Sequence, residues 1–179
     1  MDEALQVRRA LRATYWRSMN AGSFVALAVT AGLLAFAAQT ATAADGPLAH
    51  FAGSWSGSGR IIVQNGSSER IRCRSSNTAS GNSLGLSLRC ASDSYKFELA
   101  SDITSDGGGN LSGSWNETTR GVVGSIEGRA SGNNIQATAN AVGFNAALAI
   151  RASGSSLSVT IRSPGSEIQE VAISMARGR

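Results

Sequence analysis

The side chains able to do chemistry are few: one imidazole, His50, and two thiols, Cys73 and Cys90, in 179 residues. Three such groups cannot make the four-ligand His/Cys set of a structural zinc site, so no metal and no cofactor are expected. Nucleophilic catalysis needs a base beside a hydroxyl or thiol, and no motif brings His50 to one, because it precedes the first expected strand. Glu117 is the inner-face carboxylate candidate; it adjoins a turn, where solvation is its ordinary state. No catalytic residue is assigned, and the protein is read as not an enzyme. The Gly107-Gly108-Gly109 run has no helix after it to complete a phosphate cradle, so it reads as a connection.

Composition sets the frame for these residues. With 42% hydrophobic and 16% charged residues the chain is richer in apolar material than a disordered segment, and its 21 glycines lack the triplet period of collagen. Residues 1–44 differ from the rest. Arg8, Arg9, Arg12 and Arg17 precede an uncharged apolar run, Phe24 to Ala38, which is followed by Ala41-Thr42-Ala43. At about 15 residues the run falls short of the roughly 20 that span a bilayer, and the small side chains after it suit a signal peptidase. A signal peptide over 1–44, cleaved before Ala44 or Asp45, and one domain over 45–179 are expected, with Met19 an alternative start. The mature chain is then periplasmic or secreted, with no transmembrane segment. The leader holds four arginines against Asp2 and Glu3, so the mature chain keeps +2 of the formal +4.

From Phe51 onward apolar and polar side chains alternate, without a helical period, in segments separated by turn residues. The turns are Asn65-Gly66, Gly81-Asn82, Ser92-Asp93, Asp106-Gly107-Gly108-Gly109, Thr119-Arg120-Gly121, Gly132-Asn133, Val142-Gly143, Ser153-Gly154 and Pro164-Gly165. They delimit about ten strands of an all-β, antiparallel up-and-down meander. Residues opposite each other in an antiparallel pair share a face, so each turn fixes a register. A two-residue loop at Gly81-Asn82 sets Cys73 opposite Cys90 in a non-hydrogen-bonded pair, where a cross-strand disulfide can form. That disulfide is expected, and it suits an oxidising compartment. The hairpins at Asn65-Gly66 and Pro164-Gly165 each need a three-residue loop or a bulge to stay in phase.

One face is apolar in every strand and the other is polar and charged, too charged to meet lipid in an outer-membrane barrel. A flat sheet would expose the apolar face. The meander is therefore expected to curl into a soluble barrel or half-barrel with that face inward, helped by inner-face glycines such as Gly57, Gly59, Gly113, Gly124 and Gly128.

Phe51-Ala52-Gly53-Ser54-Trp55 opens the first strand, and its Gly-x-Trp resembles the first-strand signature of lipocalins and related calycin barrels, such as avidins and fatty-acid-binding proteins. The resemblance implies a barrel whose tryptophan packs at the closed end against a basic residue of a late strand, here Arg162 or Arg177. The mature part as a whole also resembles small exported bacterial proteins. Leu111-Ser112-Gly113-Ser114-Trp115 repeats the pattern sixty residues on. Duplication explains it, as does a strand-curling problem solved twice.

An apolar inner face is a core first. Small residues on strands six to eight, opposite bulky aromatic ones, leave room for a small apolar ligand, with Trp55, Asn77, Tyr95, Phe97, Ser101, Trp115 and Phe144 as the expected ligand-binding residues. On the outer face Arg60, Arg72, Arg74, Arg89 and Lys96 form a basic stripe suited to an anionic envelope component, polymer or lipid. Nucleic acid does not suit it, because no outward aromatic side chain accompanies the charges. The reading is an exported, non-catalytic protein holding a small apolar ligand; the alternative is a structural or envelope-surface protein with a filled core that uses the stripe.

Overall fold

The computed structural model describes residues 46–178; the expected signal peptide, residues 1–44, lies outside the described residues. Ten antiparallel strands follow a short 3-10 turn, Ala49–Phe51: β1 Gly53–Val63, β2 Ser68–Ser80, β3 Ser83–Ala91, β4 Lys96–Ser105, β5 Asn110–Glu117, β6 Val122–Ser131, β7 Asn134–Ala141, β8 Phe144–Ser153, β9 Ser156–Arg162 and β10 Ile168–Arg177. Each strand pairs with the next, and β1 pairs with β10 from Trp55 opposite Arg177 to Val63 opposite Ile168, so the barrel is closed. No helix among the described residues is long and apolar enough to cross a membrane.

Turn chemistry sets the register. Gly81, Gly132 and Gly154 open two-residue loops at φ +54°, +55° and +57°, and the residue after each keeps a negative φ, the pattern of type II′ hairpins. Cys73 then faces Cys90 with Cα atoms 4.2 Å apart, and the two are joined in the expected disulfide. The first hairpin closes through Val63 N–H to Ser67 O around Gln64-Asn65-Gly66, with Gly66 at φ +79°. That is the three-residue loop the phase requires.

Two turns are longer than their sequence suggests. After β3, Ser92 N–H bonds Tyr95 O and Ala91 pairs with Lys96, so Cys90 faces Phe97 and Tyr95 lies in the loop. After β9, Ser163 N–H reaches Gln169 O, and the extra length is absorbed where the β1–β10 register shifts between Ile62 and Val63. Both loops preserve the phase, so no strand turns its apolar face outward.

The inner face carries the core. Several glycines on it stand where an added Cβ would overlap the backbone of the adjacent strand: Ser174 at Gly57, Ala172 at Gly59, Asp102 at Gly113. The strands approach and coil there because nothing projects between them.

Candidate functional site

The two ends of the barrel differ. At the end where β1 begins, Leu48 and Phe51 turn back into the core and are fully buried with Trp55. The Phe51 carbonyl accepts both Trp55 Nε1–H, at 3.1 Å, and Asn77 Nδ2–H, at 2.9 Å, while Ser75 Oγ–H donates to Asn77 Oδ1. Arg177 lies over the Trp55 ring, its guanidinium carbon 4.1 Å from the centroid, and donates to Ala52 O and His50 O. Of the two basic residues implied for this position, Arg177 occupies it, because β10 runs back to the closed end. Arg162, on β9, instead pairs with Glu170 at 2.8 Å. His50 contributes its carbonyl to the plug. A recess of about 530 Å³ beside it is lined by Ala49, His50, Asn133, Gly154 and Arg177.

At the opposite end the inward side chains are less buried. Val63, Leu99, Val122, Ala141, Phe144, Ile161 and Ile168 share the inward phase or its rim at that end, yet each is only partly buried. Around this ring stand polar groups. Tyr95 O–H donates to Glu167 Oε1 at 3.2 Å, and burial together with that carboxylate pushes its phenol pKa up, so it remains a donor. Glu69 accepts Ser94 N–H at 2.9 Å; the Ser92 hydroxyl and the Ser94 amide hold its carboxyl below the usual range.

Glu117 is not the solvated rim carboxylate expected. It is 8% exposed and accepts three backbone N–H groups, from Glu98 at 3.0 Å, Thr119 at 3.1 Å and Arg120 at 2.8 Å. Burial pushes its pKa up, but the hydrogen bonds outweigh it and hold the value below 4.5. A depressed folded-state value contributes stability above the ordinary pKa that is lost as pH falls through the lowered one. Glu117→Gln is expected to cost about 1–3 kcal/mol near pH 7. The gap to wild type should shrink as pH falls below 4.5, which urea unfolding at a series of pH values would show.

The aromatic residues divide between the two ends. Trp55 belongs to the plug, and Asn77 is bonded into it; Ser101, also buried, donates to Ser114 O at 3.0 Å. Phe97, Trp115 and Phe144 lie in the half away from the plug, with Tyr95 at its rim rather than on the wall. Trp115 and Phe144 contact each other at 5.5 Å between centroids, tilted by 59°. The light wall is partly filled by Trp115 itself: a Cβ on Gly124 would stand 2.7 Å from the ring nitrogen, which donates to Ser125 O at 3.0 Å. A Cβ there would also overlap the Asn140 carbonyl oxygen, so Gly124→Ala is expected to force β6 from β7 as well as displace the ring and cost about 1–3 kcal/mol, read as a lowered urea midpoint with a red-shifted tryptophan emission. A further groove, about 380 Å³, lies around Ala147, Ala149 and Arg162, outward residues of β8 and β9.

On the outer face Arg74 opposes Arg89, as the sequence register requires, but Lys96 sits two residues further along, opposite Ala91, because of the longer β3–β4 loop. Arg72 faces Ser58 and Ala91, and Arg60 faces Arg70. Sequence reasoning passed over Arg70, although its phase with Arg72 and Arg74 would have found it. It also passed over Glu167 and the plug residue Leu48, and it placed Phe51 at the start of the first strand, whereas Phe51 ends the 3-10 turn before β1.

The described residues form a closed ten-stranded antiparallel meander, plugged at the end where its first tryptophan lies under a basic residue of the last strand. Two solved structures are similar to it. Rv2717c from M. tuberculosis matches with a TM-score of 0.58 at 15% identity, over 74% of this chain and 95% of its own. The S-type phycobiliprotein lyase CPES from Guillardia theta matches with a TM-score of 0.49 at 11% identity, over 73% of this chain and 89% of its own. Both are ten-stranded antiparallel barrels of the calycin, lipocalin-like kind. No protein-family model and no curated protein matches the chain. The reading of the sequence as not an enzyme is corrected here. The similar structure named a lyase stands against that reading, and a missing nucleophile motif does not by itself exclude catalysis.

Proposed function

We propose that the protein is exported and holds a small apolar ligand in the half of the barrel away from the plug, against Phe97, Trp115 and Phe144, with Tyr95 at the mouth. The observation that carries this reading is the asymmetry of burial. Inward apolar side chains at the plugged end are mostly sealed, Ala79 and Leu86 apart, whereas those in a ring at the other end are only partly buried. Exposed apolar surface of that kind gains about 25 cal/mol per Å² when a ligand covers it. Trp55, Asn77 and Ser101 serve this reading as the floor and wall, since their polar groups are already bonded within the protein. The Cys73–Cys90 disulfide supports export, because such bonds persist in oxidising compartments.

The test is a panel of fatty acids and a fluorescent apolar probe, titrated into wild type and variants of unchanged circular dichroism. Saturable binding is expected, weakened about tenfold or more by Phe144→Ala or Trp115→Ala, as loss of an aromatic contact implies. Arg74→Ser should leave it unchanged. No saturable binding across the panel, or binding indifferent to both aromatic substitutions, overturns the reading.

A further inference from the structure

Directly opposed like charges destabilise a strand pair, and the outer face of β1 to β4 carries two such pairs, Arg60 with Arg70 and Arg74 with Arg89. Arg70, Arg72 and Arg74 alternate along β2, so they project from one side at steps of about 7 Å. All six basic residues of the stripe, Arg60, Arg70, Arg72, Arg74, Arg89 and Lys96, are exposed. Arg89 and Lys96 share one carboxylate, Glu98, at 3.7 and 3.3 Å. Among the described residues, Arg60, Arg70, Arg72 and Arg74 have no carboxylate within 4 Å.

We infer that this face is a docking surface for a linear acidic polysaccharide. Four uncompensated guanidinium groups extend along β2 and across to β1, over about 14 Å of strand. That is longer than one small anion, and it suits a chain presenting carboxylate or sulfate groups repeatedly, each of which an Arg fork can take through two N–H donors. The residues between the arginines are hydroxylic. Ser58 stands opposite Arg72, Ser56 opposite Arg74, and Ser76 between Ser54 and Ser87, so sugar hydroxyls would meet donors and acceptors. A bilayer fits less well. The barrel flank is convex, and the exposed large hydrophobic residues are Val123 and Val142, on β6 and the β7–β8 turn. A nucleic acid fits less well again, because the outward positions of β1 to β4 offer no aromatic ring for a base to stack on.

The experiment measures binding of the full mature chain to alginate, dextran sulfate, neutral dextran, vesicles containing anionic lipid and single-stranded DNA, each over a range of salt. Expected is binding to alginate or dextran sulfate and none to neutral dextran, alginate alone marking a carboxylate preference and dextran sulfate alone a sulfate one. Arg72→Ser with Arg74→Ser should weaken it at least tenfold at low salt and flatten its dependence on log salt by about two. The charge-matched pair Arg129→Ser with Arg151→Ser, on β6 and β8, should change it less than threefold. The inference is overturned by absence of binding to both acidic polymers, by equal losses in the two double variants, or by vesicles or DNA binding as tightly as the polysaccharides.

Discussion

Trp55→Ala is expected to destabilise the barrel by about 3–5 kcal/mol, the largest effect of any single substitution considered. The ring is 1% exposed, and three contacts converge on it: Phe51 O takes its Nε1–H, Arg177 covers its face, and the plug residues Leu48 and Phe51 are buried in the same core cluster. Alanine leaves a large cavity at the end of the core, and the Phe51 carbonyl retains only Asn77 as a donor. Arg177→Gln should cost less, about 1–2 kcal/mol, since it removes the cation–π contact and the hydrogen bonds to Ala52 O and His50 O but leaves the ring in place. Urea unfolding gives both numbers, and amide exchange should localise the Trp55→Ala loss to residues 48–55 and the adjoining ends of β2 and β10. A Trp55→Ala cost below about 1 kcal/mol would mean that the plug is held by something other than this ring.

Opening the Cys73–Cys90 bridge should be the second largest effect, about 3 kcal/mol for a closed loop with a sequence separation of 17. Both residues face the interior and are almost fully buried, between Ile71, Ser75 and Leu88 on the same two strands. Cys73→Ala with Cys90→Ala is the cleaner comparison, because serine at these positions would also bury a hydroxyl. The urea midpoint of wild type should fall to that of the double variant when a reductant is added, and the double variant should be indifferent to it. Two free thiols in the oxidised, denatured protein would contradict the bridge.

How far such features were legible depended on what fixed each one. The phase of every strand followed from its alternation, since a slip of one residue would turn Ile71, Cys73 and Leu88 outward. Register was legible where a glycine began a two-residue loop, as at Gly81 and Gly132. It was not legible at residues 92–95, where Ser92 and Glu69 hold a longer loop by side-chain hydrogen bonds; the slide of two residues took Tyr95 off the wall and Lys96 out of line with Arg89. The partner of Trp55 depended on the β1–β10 closure, a contact between chain ends that no local pattern encodes. Residues 48–50 carry no alternation, and Phe51 reads as the start of the first strand rather than as the end of a turn, so the plug was invisible. The light wall was read correctly as small, but whether the neighbouring ring leans onto it is a question of rotamer, and Trp115 leans onto Gly124. The caged Glu117 shows the same limit, because its partners are backbone amides that any sequence supplies.

The most direct test of the proposed ligand site is native mass spectrometry of the protein purified gently from its native host, wild type beside Phe144→Ala. The expected result is a wild-type species heavier than the mature polypeptide by one small apolar molecule, recovered in an organic extract and depleted in the variant. A bare wild-type polypeptide with nothing in the extract, or a bound molecule retained equally by Phe144→Ala, would contradict it.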